Sequence, residues 1–241
     1  MSLLDALAQV PEAASLKQLS TATELHPSTA HRILAAMCNA RFVERQDAGT
    51  YRLGIRLLEL GNIVKSRINV REVALPFMQE LHEKIGEAIN LGARHDDEIV
   101  YLERTSSGRS LVRVVYLVGG RAPLHLTSLG KLFLAADGTQ KVRDYARRTG
   151  LPGKTPHSLT TLEALEKELD KVRRHGIAYD DEEAELGLKC VAAPIHDDEG
   201  QVVAALSVSA PADRHNPEWA RQVRETANAV SHALGYAHSG N

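Results

Sequence analysis

The stretch Leu16-Lys17-Gln18-Leu19 … Pro27-Ser28-Thr29-Ala30-His31-Arg32-Ile33-Leu34 … Phe42-Val43-Glu44-Arg45 … Gly49-Thr50-Tyr51-Arg52-Leu53-Gly54 decides the fold of the N-terminal quarter of the chain. Ser15 suits the N-cap of a short helix whose Leu16 and Leu19 turn inward. Glu24-Leu25-His26 breaks that helix, and Pro27 suits the first position of the next, where its missing N–H would be unpaired anyway. In this second helix Ala30, Ile33, Leu34 and Met37 recur at helical spacing and form one apolar stripe. Two β-prone runs follow, Phe42–Arg45 and Thr50–Leu53, joined by the turn residues Gln46-Asp47-Ala48-Gly49. Upstream, Leu3, Leu4, Leu7 and Val10 line one face of a helix that Pro11 stops. Opposite the apolar stripe stand Ser28, Thr29, His31 and Arg32, side chains able to bond phosphates or base edges, with Arg able to fork onto guanine. Arg45 and Arg52 on the hairpin are placed to grip backbone phosphate. Three short helices plus a two-stranded wing read as a winged helix-turn-helix. The same pattern also fits a small helical domain whose polar face is merely solvated, and spacing alone leaves both readings open.

Residues 55–85 read as helix in two pieces. Ile55, Leu57, Leu58, Leu60 and Ile63 lie in the first, Asn69 caps the second, and Pro76 is expected to kink it. Beyond it, strands and helices alternate. Strands are expected at Ala88–Arg94, Ile99–Arg104, Leu111–Val115, Ile177–Tyr179, Cys190–Ile195 and Val202–Val208. Helices are expected at Ser128–Ala136, Leu162–His175 and Glu218–Leu234. Asp96-Asp97 and Asp197-Asp198-Glu199-Gly200 look like hairpin turns. An antiparallel sheet with helices around it makes the chain α+β.

Composition narrows the function classes. The chain has 241 residues, 43% hydrophobic and 25% charged, which is ordinary for a soluble protein. No apolar run approaches the roughly 18 residues a membrane span needs. The first apolar stretch carries Asp5 and lacks a basic flank, so it does not read as a signal peptide. Cys38 and Cys190 are too few and too far apart for a disulfide framework or a paired-cysteine zinc site, and a cytoplasmic location is expected. Residues 1–72 carry nine Lys/Arg against seven Asp/Glu, net +2, whereas residues 73–241 carry 20 against 24, net −4. The sign permits an N-terminal segment that meets an anion.

In the C-terminal part, Ser207 and Ser209 alternate along a strand, so both hydroxyls share a face while Leu206 and Val208 point the other way. Cys190 begins an adjacent strand, and Asp180 sits just past another. Thr127-Ser128-Leu129-Gly130 opens a helix, whose free N–H groups favour a carboxylate. Hydroxyls, a thiol and a helix N-terminus around one cleft suit a small oxyanion ligand. Each of these residues also has a plain structural reading: serines satisfied by backbone, Cys190 as a small core residue, Asp180 in a solvated acidic loop, Lys131 structural or on the surface. The histidines show no metal-ligand spacing. A hydrolase pairing Cys190 with His125 or His196 would need a base within reach and a lowered thiol pKa. Cys190, however, lies within a strand-like run rather than at a helix N-terminus. A further alternative is a scaffold whose N-terminal module only dimerises.

The N-terminal stretch resembles the DNA-binding domain of the IclR family of bacterial transcriptional regulators, and the resemblance continues through residues 3–236. Pro123-Leu124-His125 … Thr127-Ser128-Leu129-Gly130-Lys131 is similar to one family segment. Gly176 … Asp180-Asp181-Glu182-Glu183 … Gly187-Leu188-Lys189-Cys190-Val191-Ala192-Ala193-Pro194 and Val202–Pro211 are similar to two more. The resemblance implies a winged helix-turn-helix domain at 1–54, a linker helix at 55–72 and a GAF-like effector-binding domain at 73–241. It places the effector site at Ser128, Leu129, Asp180, Cys190, Ser207 and Ser209, while the helix face and wing described above put the DNA contacts at Ser28, Thr29, His31, Arg32, Arg45 and Arg52. The expected partners are double-stranded operator DNA, a small organic acid, and a second copy, with dimers pairing into tetramers. No cofactor, metal or catalytic residue is implied. Control of a catabolic operon is expected, by repression in preference to activation, the operator's position deciding the sign. Two departures stand out: the chain starts almost on its first helix, without the family's usual extension, and Ala210 replaces a common Gly, which is expected to tighten a turn before Pro211.

Overall fold

Capping chemistry sets the helix starts. The computed structural model describes residues 2–65, 69–105 and 118–237, with 61–65 by backbone alone. The chain divides into two compact units, Met1–Ile68 and Asn69–Asn241.

In the first unit, α1 (Leu3–Ala8) starts from Ser2 and α2 (Leu16–Thr23) from Ser15. At Ser15 the hydroxyl accepts the Gln18 N–H at 3.3 Å, and the Gln18 side chain accepts the Ser15 N–H at 2.8 Å, two otherwise orphaned donors satisfied reciprocally. Glu24, in the left-handed region at φ 56°, ends α2, and α3 (Pro27–Asn39) begins at Pro27. Ala30 and Leu34 are fully buried, and Ile33 and Met37 pack partly buried beside them, against Leu3, Leu7, Leu19, Val43 and Tyr51. The wing is β2 (Val43–Arg45) and β3 (Thr50–Leu53), and α4 (Arg56–Lys65) follows. A third strand, β1 (Ala14–Ser15), pairs with β3 through Ala14 and Tyr51. Two residues are too few to show an alternation, so no sequence pattern announces this strand.

The second unit opens with α5 (Val70–Ile85), capped by the Asn69 side chain as expected. The helix continues through Pro76 to Ile85 as one element. The strands are β4 (Ala88–His95), β5 (Glu98–Thr105), β6 (Arg121–Pro123), β7 (Ala178–Asp181), β8 (Leu188–His196) and β9 (Val202–Pro211). They form one antiparallel sheet in the order β6-β5-β4-β9-β8-β7. The expected strand at Leu111–Val115 and the Ile63 side chain lie outside the described residues.

Both faces of this sheet are covered, the α+β arrangement expected. α5 and α9 (Trp219–Ala233) bury Met78, Leu81, Val223 and Val230 against Ile89, Leu91, Val191 and Val208. On the other face α6 (Ser128–Ala136), α7 (Thr139–Thr149) and α8 (Leu162–His175) pack Leu129, Leu132, Val142, Tyr145 and Leu169 over Cys190, Ala192 and Ala205. α6 and α8 have the bounds the sequence indicates. α7 was not expected, because its inward residues are few, chiefly Val142 and Tyr145, among strongly polar neighbours. At Gly92 a Cβ would meet the Leu129 side chain at 3.0 Å, so the missing side chain lets α6 settle on β4. Two expectations are corrected. Asp180 lies inside β7, paired with Cys190, rather than just past a strand. Ala210 lies inside β9 opposite Lys189, fully buried, so no turn precedes Pro211 for it to tighten.

Candidate functional site

The N-terminal unit presents the start of α3 to solvent. His26 stands at the N-cap, where its Nδ1 lies 2.8 Å from the Ser28 hydroxyl and accepts the Ser28 N–H at 3.4 Å. Ser28, His31 and Arg32 are exposed and Thr29 is half-buried, all on the face away from Ala30 and Leu34. Arg52 does not stand free: Glu44, its cross-strand partner, accepts its Nε and Nη2 at 2.9 and 2.7 Å. That guanidinium holds the Glu44 carboxyl below the usual range, first by hydrogen bonding. Arg41 and Arg56 likewise share Glu59. Among the described residues Arg32 and Arg45 have no ion-pair partner, so each carries positive charge available to a phosphate.

In the second unit the register brings chemistry together across four strands. Cys190 on β8 lies opposite Ser209 on β9 and Asp180 on β7, while Ser207 on β9 lies opposite Asn90 on β4. The Asn90 amide nitrogen donates to Ser209 at 2.9 Å and to Ser207 at 3.3 Å, and the Ser209 hydroxyl donates to the Cys190 sulfur at 3.1 Å. All of these side chains are buried. The Asp180 carboxylate accepts the N–H groups of Glu183 and Ala184 at one oxygen, Oδ1. Burial pushes its pKa up to about 6, against the Lys131 ammonium and those N–H groups, which pull it down; the Cys190 thiol adds a weaker pull without forming a hydrogen bond of good geometry. Ser128 and Leu129 open α6, and the Leu129 side chain packs in the same buried cluster as Cys190. Thr127 caps the helix through the Gly130 N–H at 3.0 Å, and among the described residues the Ser128 and Leu129 N–H groups have no partner.

Lys131 is neither exposed nor peripheral. It is fully buried, and its ammonium donates to both oxygens of Glu183 at 2.7 Å, with Glu168 at 3.8 Å. Burial outweighs that attraction and pushes the Glu183 carboxyl up to about 7. A lysine among Leu129, Leu132, Phe133 and Leu134 is the sequence signal for such a pair, since a helix apolar all round cannot leave a charge unmatched. Asn90 stands similarly alone in Ala88-Ile89-Asn90-Leu91, but nothing local names its partners.

The hydrolase alternative fails on geometry. Burial and the neighbouring Asp180 push the Cys190 thiol well up, which keeps it protonated and a poor nucleophile. His125 is committed elsewhere, with Nδ1 2.7 Å from the Tyr145 hydroxyl and Nε2 3.2 Å from the Pro152 carbonyl oxygen. His196 stacks on Tyr236 at 5.0 Å. Among the described residues no group of three or more metal-ligating side chains gathers, and no helix is long and apolar enough to cross a membrane.

Comparison with known proteins bears on both units. The family described as bacterial transcriptional regulator IclR C-terminal matches residues 63–232, and the IclR helix-turn-helix domain matches residues 1–47. The chain is 33% identical to the HTH-type transcriptional repressor AllR of Klebsiella pneumoniae, over 98% of this chain and 88% of that one. The Agobacterium tumefaciens repressor BlcR superimposes with a TM-score of 0.86 at 27% identity, covering 98% of this chain and 95% of the other. An IclR homologue from Microbacterium hydrocarbonoxydans, solved in complex with 4-hydroxybenzoate, gives 0.64 at 30% identity, covering 96% and 95%.

Proposed function

The chain belongs to the IclR family of bacterial transcriptional regulators, and from that membership we propose that it is a cytoplasmic repressor of a catabolic operon, relieved or reinforced by a small organic acid. It is a DNA-binding regulator and not an enzyme. The observation that carries the effector reading is the buried hydrogen-bonded row Asn90–Ser209–Cys190, joined by Ser207 and lying beside the unpaired N–H groups that open α6. AllR and BlcR, both repressors by name, support repression, and 4-hydroxybenzoate in the Microbacterium protein supports a carboxylate ligand. The working unit is a homodimer, pairing further into a tetramer. One recognition helix offers few readable side chains, and two half-sites about 34–36 Å apart supply the rest of the specificity. Ile55 and Leu58 are exposed and apolar, which supports a contact between copies at the linker helix.

The α3 face reads the operator in this account, with Ser28, Thr29, His31 and Arg32 at or near base edges and Arg45 and Arg52 on phosphate. Arg32→Ala is expected to cost about 1–3 kcal/mol and to relax preference at one operator position. Arg45→Ala weakens all sequences alike and flattens the salt slope by about one unit. Arg52→Ala has the smaller effect, since Glu44 already neutralises much of that charge. Operator titrations at several salt concentrations measure all three, and unchanged affinity and preference in Arg32→Ala removes that side chain from the interface.

The effector acts by its differential affinity for two states of the regulator. A coupling of about 1–3 kcal/mol is typical and moves the apparent operator Kd roughly 5–150-fold. The double variant Ser207→Ala/Ser209→Ala is expected to abolish this response while leaving ligand-free operator binding near normal, since both residues lie in the second unit. Operator titration with and without a panel of small organic acids is the experiment. A double variant that responds as strongly as the parent chain places the effector site elsewhere.

A further inference from the structure

Two acceptors at the ends of the buried row have no donor. Asn90 and Asp180 are each 1% exposed, and among the described residues the Oδ1 of Asn90 and the Oδ2 of Asp180 accept nothing. The direction of the row makes this consistent. Asn90 spends its amide nitrogen on Ser207 and Ser209, and Ser209 spends its proton on Cys190, so the Asn90 carbonyl oxygen is left over. Ser207 accepts from Asn90, and its own proton has no acceptor among the described residues. Donors therefore lie at Ser207 and at the start of α6, with one bare acceptor on β4 and one on β7. Buried polar groups are almost always paired, and a ligand that supplies the missing donor gains roughly ten- to a hundredfold in affinity at each.

Spacing limits what can serve both. β9 and β8 lie between β4 and β7, so the two residues sit three interstrand spacings apart, about 14 Å between backbones. A two-carbon acid with one hydroxyl cannot reach both acceptors; a chain of about six carbons with hydroxyls along its length reaches them only because the side chains close part of the gap, as Asn90 does in leaning off β4 to Ser209. We propose that Asn90 is a specificity-determining residue of the effector site and that the effector is a polyhydroxylated carboxylic acid. Its carboxylate lies toward the Ser207 hydroxyl and the N–H groups of Ser128 and Leu129, and its hydroxyls donate to Asn90 Oδ1 and Asp180 Oδ2. This deepens the organic-acid reading of the cluster and rests on it.

Calorimetric titration of the full chain with D-gluconate and with hexanoate tests it, since both have six carbons and only the first carries hydroxyl donors. Gluconate is expected to bind at least tenfold tighter than hexanoate. Asn90→Leu, which removes the acceptor at similar volume, is expected to narrow that ratio about tenfold by weakening gluconate alone. Asp180→Asn keeps the oxygen that holds the Glu183 and Ala184 N–H groups and exchanges the unpaired one for a donor, so it narrows the ratio too. It serves if the Asn90 variant does not fold. A structural role for these residues would instead weaken both acids alike, and that result overturns the proposal. Hexanoate binding as well as gluconate overturns the donor requirement while the organic-acid reading stands. Silence from both acids, and equally from 3,4-dihydroxybenzoate and benzoate, overturns the organic-acid reading and the proposal with it.

Discussion

Lys131→Met is expected to destabilise the second unit by about 3–5 kcal/mol at pH 8, because it strands a buried carboxylate. The ammonium is fully buried and holds both Glu183 oxygens at 2.7 Å, and Met fills a similar volume without charge. Adding Glu183→Leu to the same chain is expected to restore most of the loss, since an apolar pair in place of a buried ion pair is often neutral. The loss also depends on pH. In the parent protein Glu183 is raised from 4.5 to about 7 and Asp180 from 3.8 to about 6, so the folded state holds these protons more tightly than the unfolded state. Their contribution is full below the unfolded values and is lost as pH rises through about 6 to 7. Without Lys131 the Glu183 carboxyl is pushed higher still and takes up a proton readily. The gap between variant and parent therefore narrows from pH 8 to pH 5.5. Urea melts at the two pH values measure it, and an equal loss at both would show that packing, not charge, is what Lys131 supplies.

Gly130→Ala is expected to cost about 3 kcal/mol or more, at the upper end of overpacking. A Cβ there would collide with the carbonyl oxygen and Cα of Leu124 and lie 2.7 Å from its carbonyl carbon. These are backbone atoms, and the Leu124 side chain is itself fully buried, so the segment has nowhere to retreat. The contact seats the start of α6 against residues 124–126, the short turn of 3-10 helix that precedes it. Gly138→Ala is the control, with open space around the added carbon and φ at −68°; Gly138 is the N-cap of α7, where Ala is disfavoured, so the loss is expected to stay at or below about 1 kcal/mol, well short of that at Gly130. Thermal melts of the two variants and the parent separate a steric requirement from a general cost of replacing glycine. A Gly130→Ala protein that melts with the parent would mean that α6 can shift.

What the residues announce by themselves is local. Ser15, Pro27 and Asn69 mark helix starts because a cap satisfies N–H groups two or three positions away. The stripe of α3 and the shared face of Ser207 and Ser209 follow from periods of 3.6 and 2, which need no knowledge of the partner. The family resemblance adds the order of the segments and the candidate effector residues. Tertiary structure alone decides who meets whom. Asn90 reaches Ser209 across a separation of 119 residues, and Lys131 reaches Glu183 across 52. The first contact exists because β4 lies beside β9 in the sheet, and the second because α6 is laid over the face where β7 ends. A buried lysine or asparagine says only that some partner must exist, since desolvation penalises it wherever it sits. Which residue answers depends on strand order and register, and no periodicity encodes them. Both faces of the sheet are covered, so an apolar run such as Cys190–Ile195 reads as a strand without revealing which of its side chains face α6 and which face α9. The edge element β1 and the polar helix α7 stay hidden for the same reason: each is held by what it packs against, and its own residues show too short a pattern to be read.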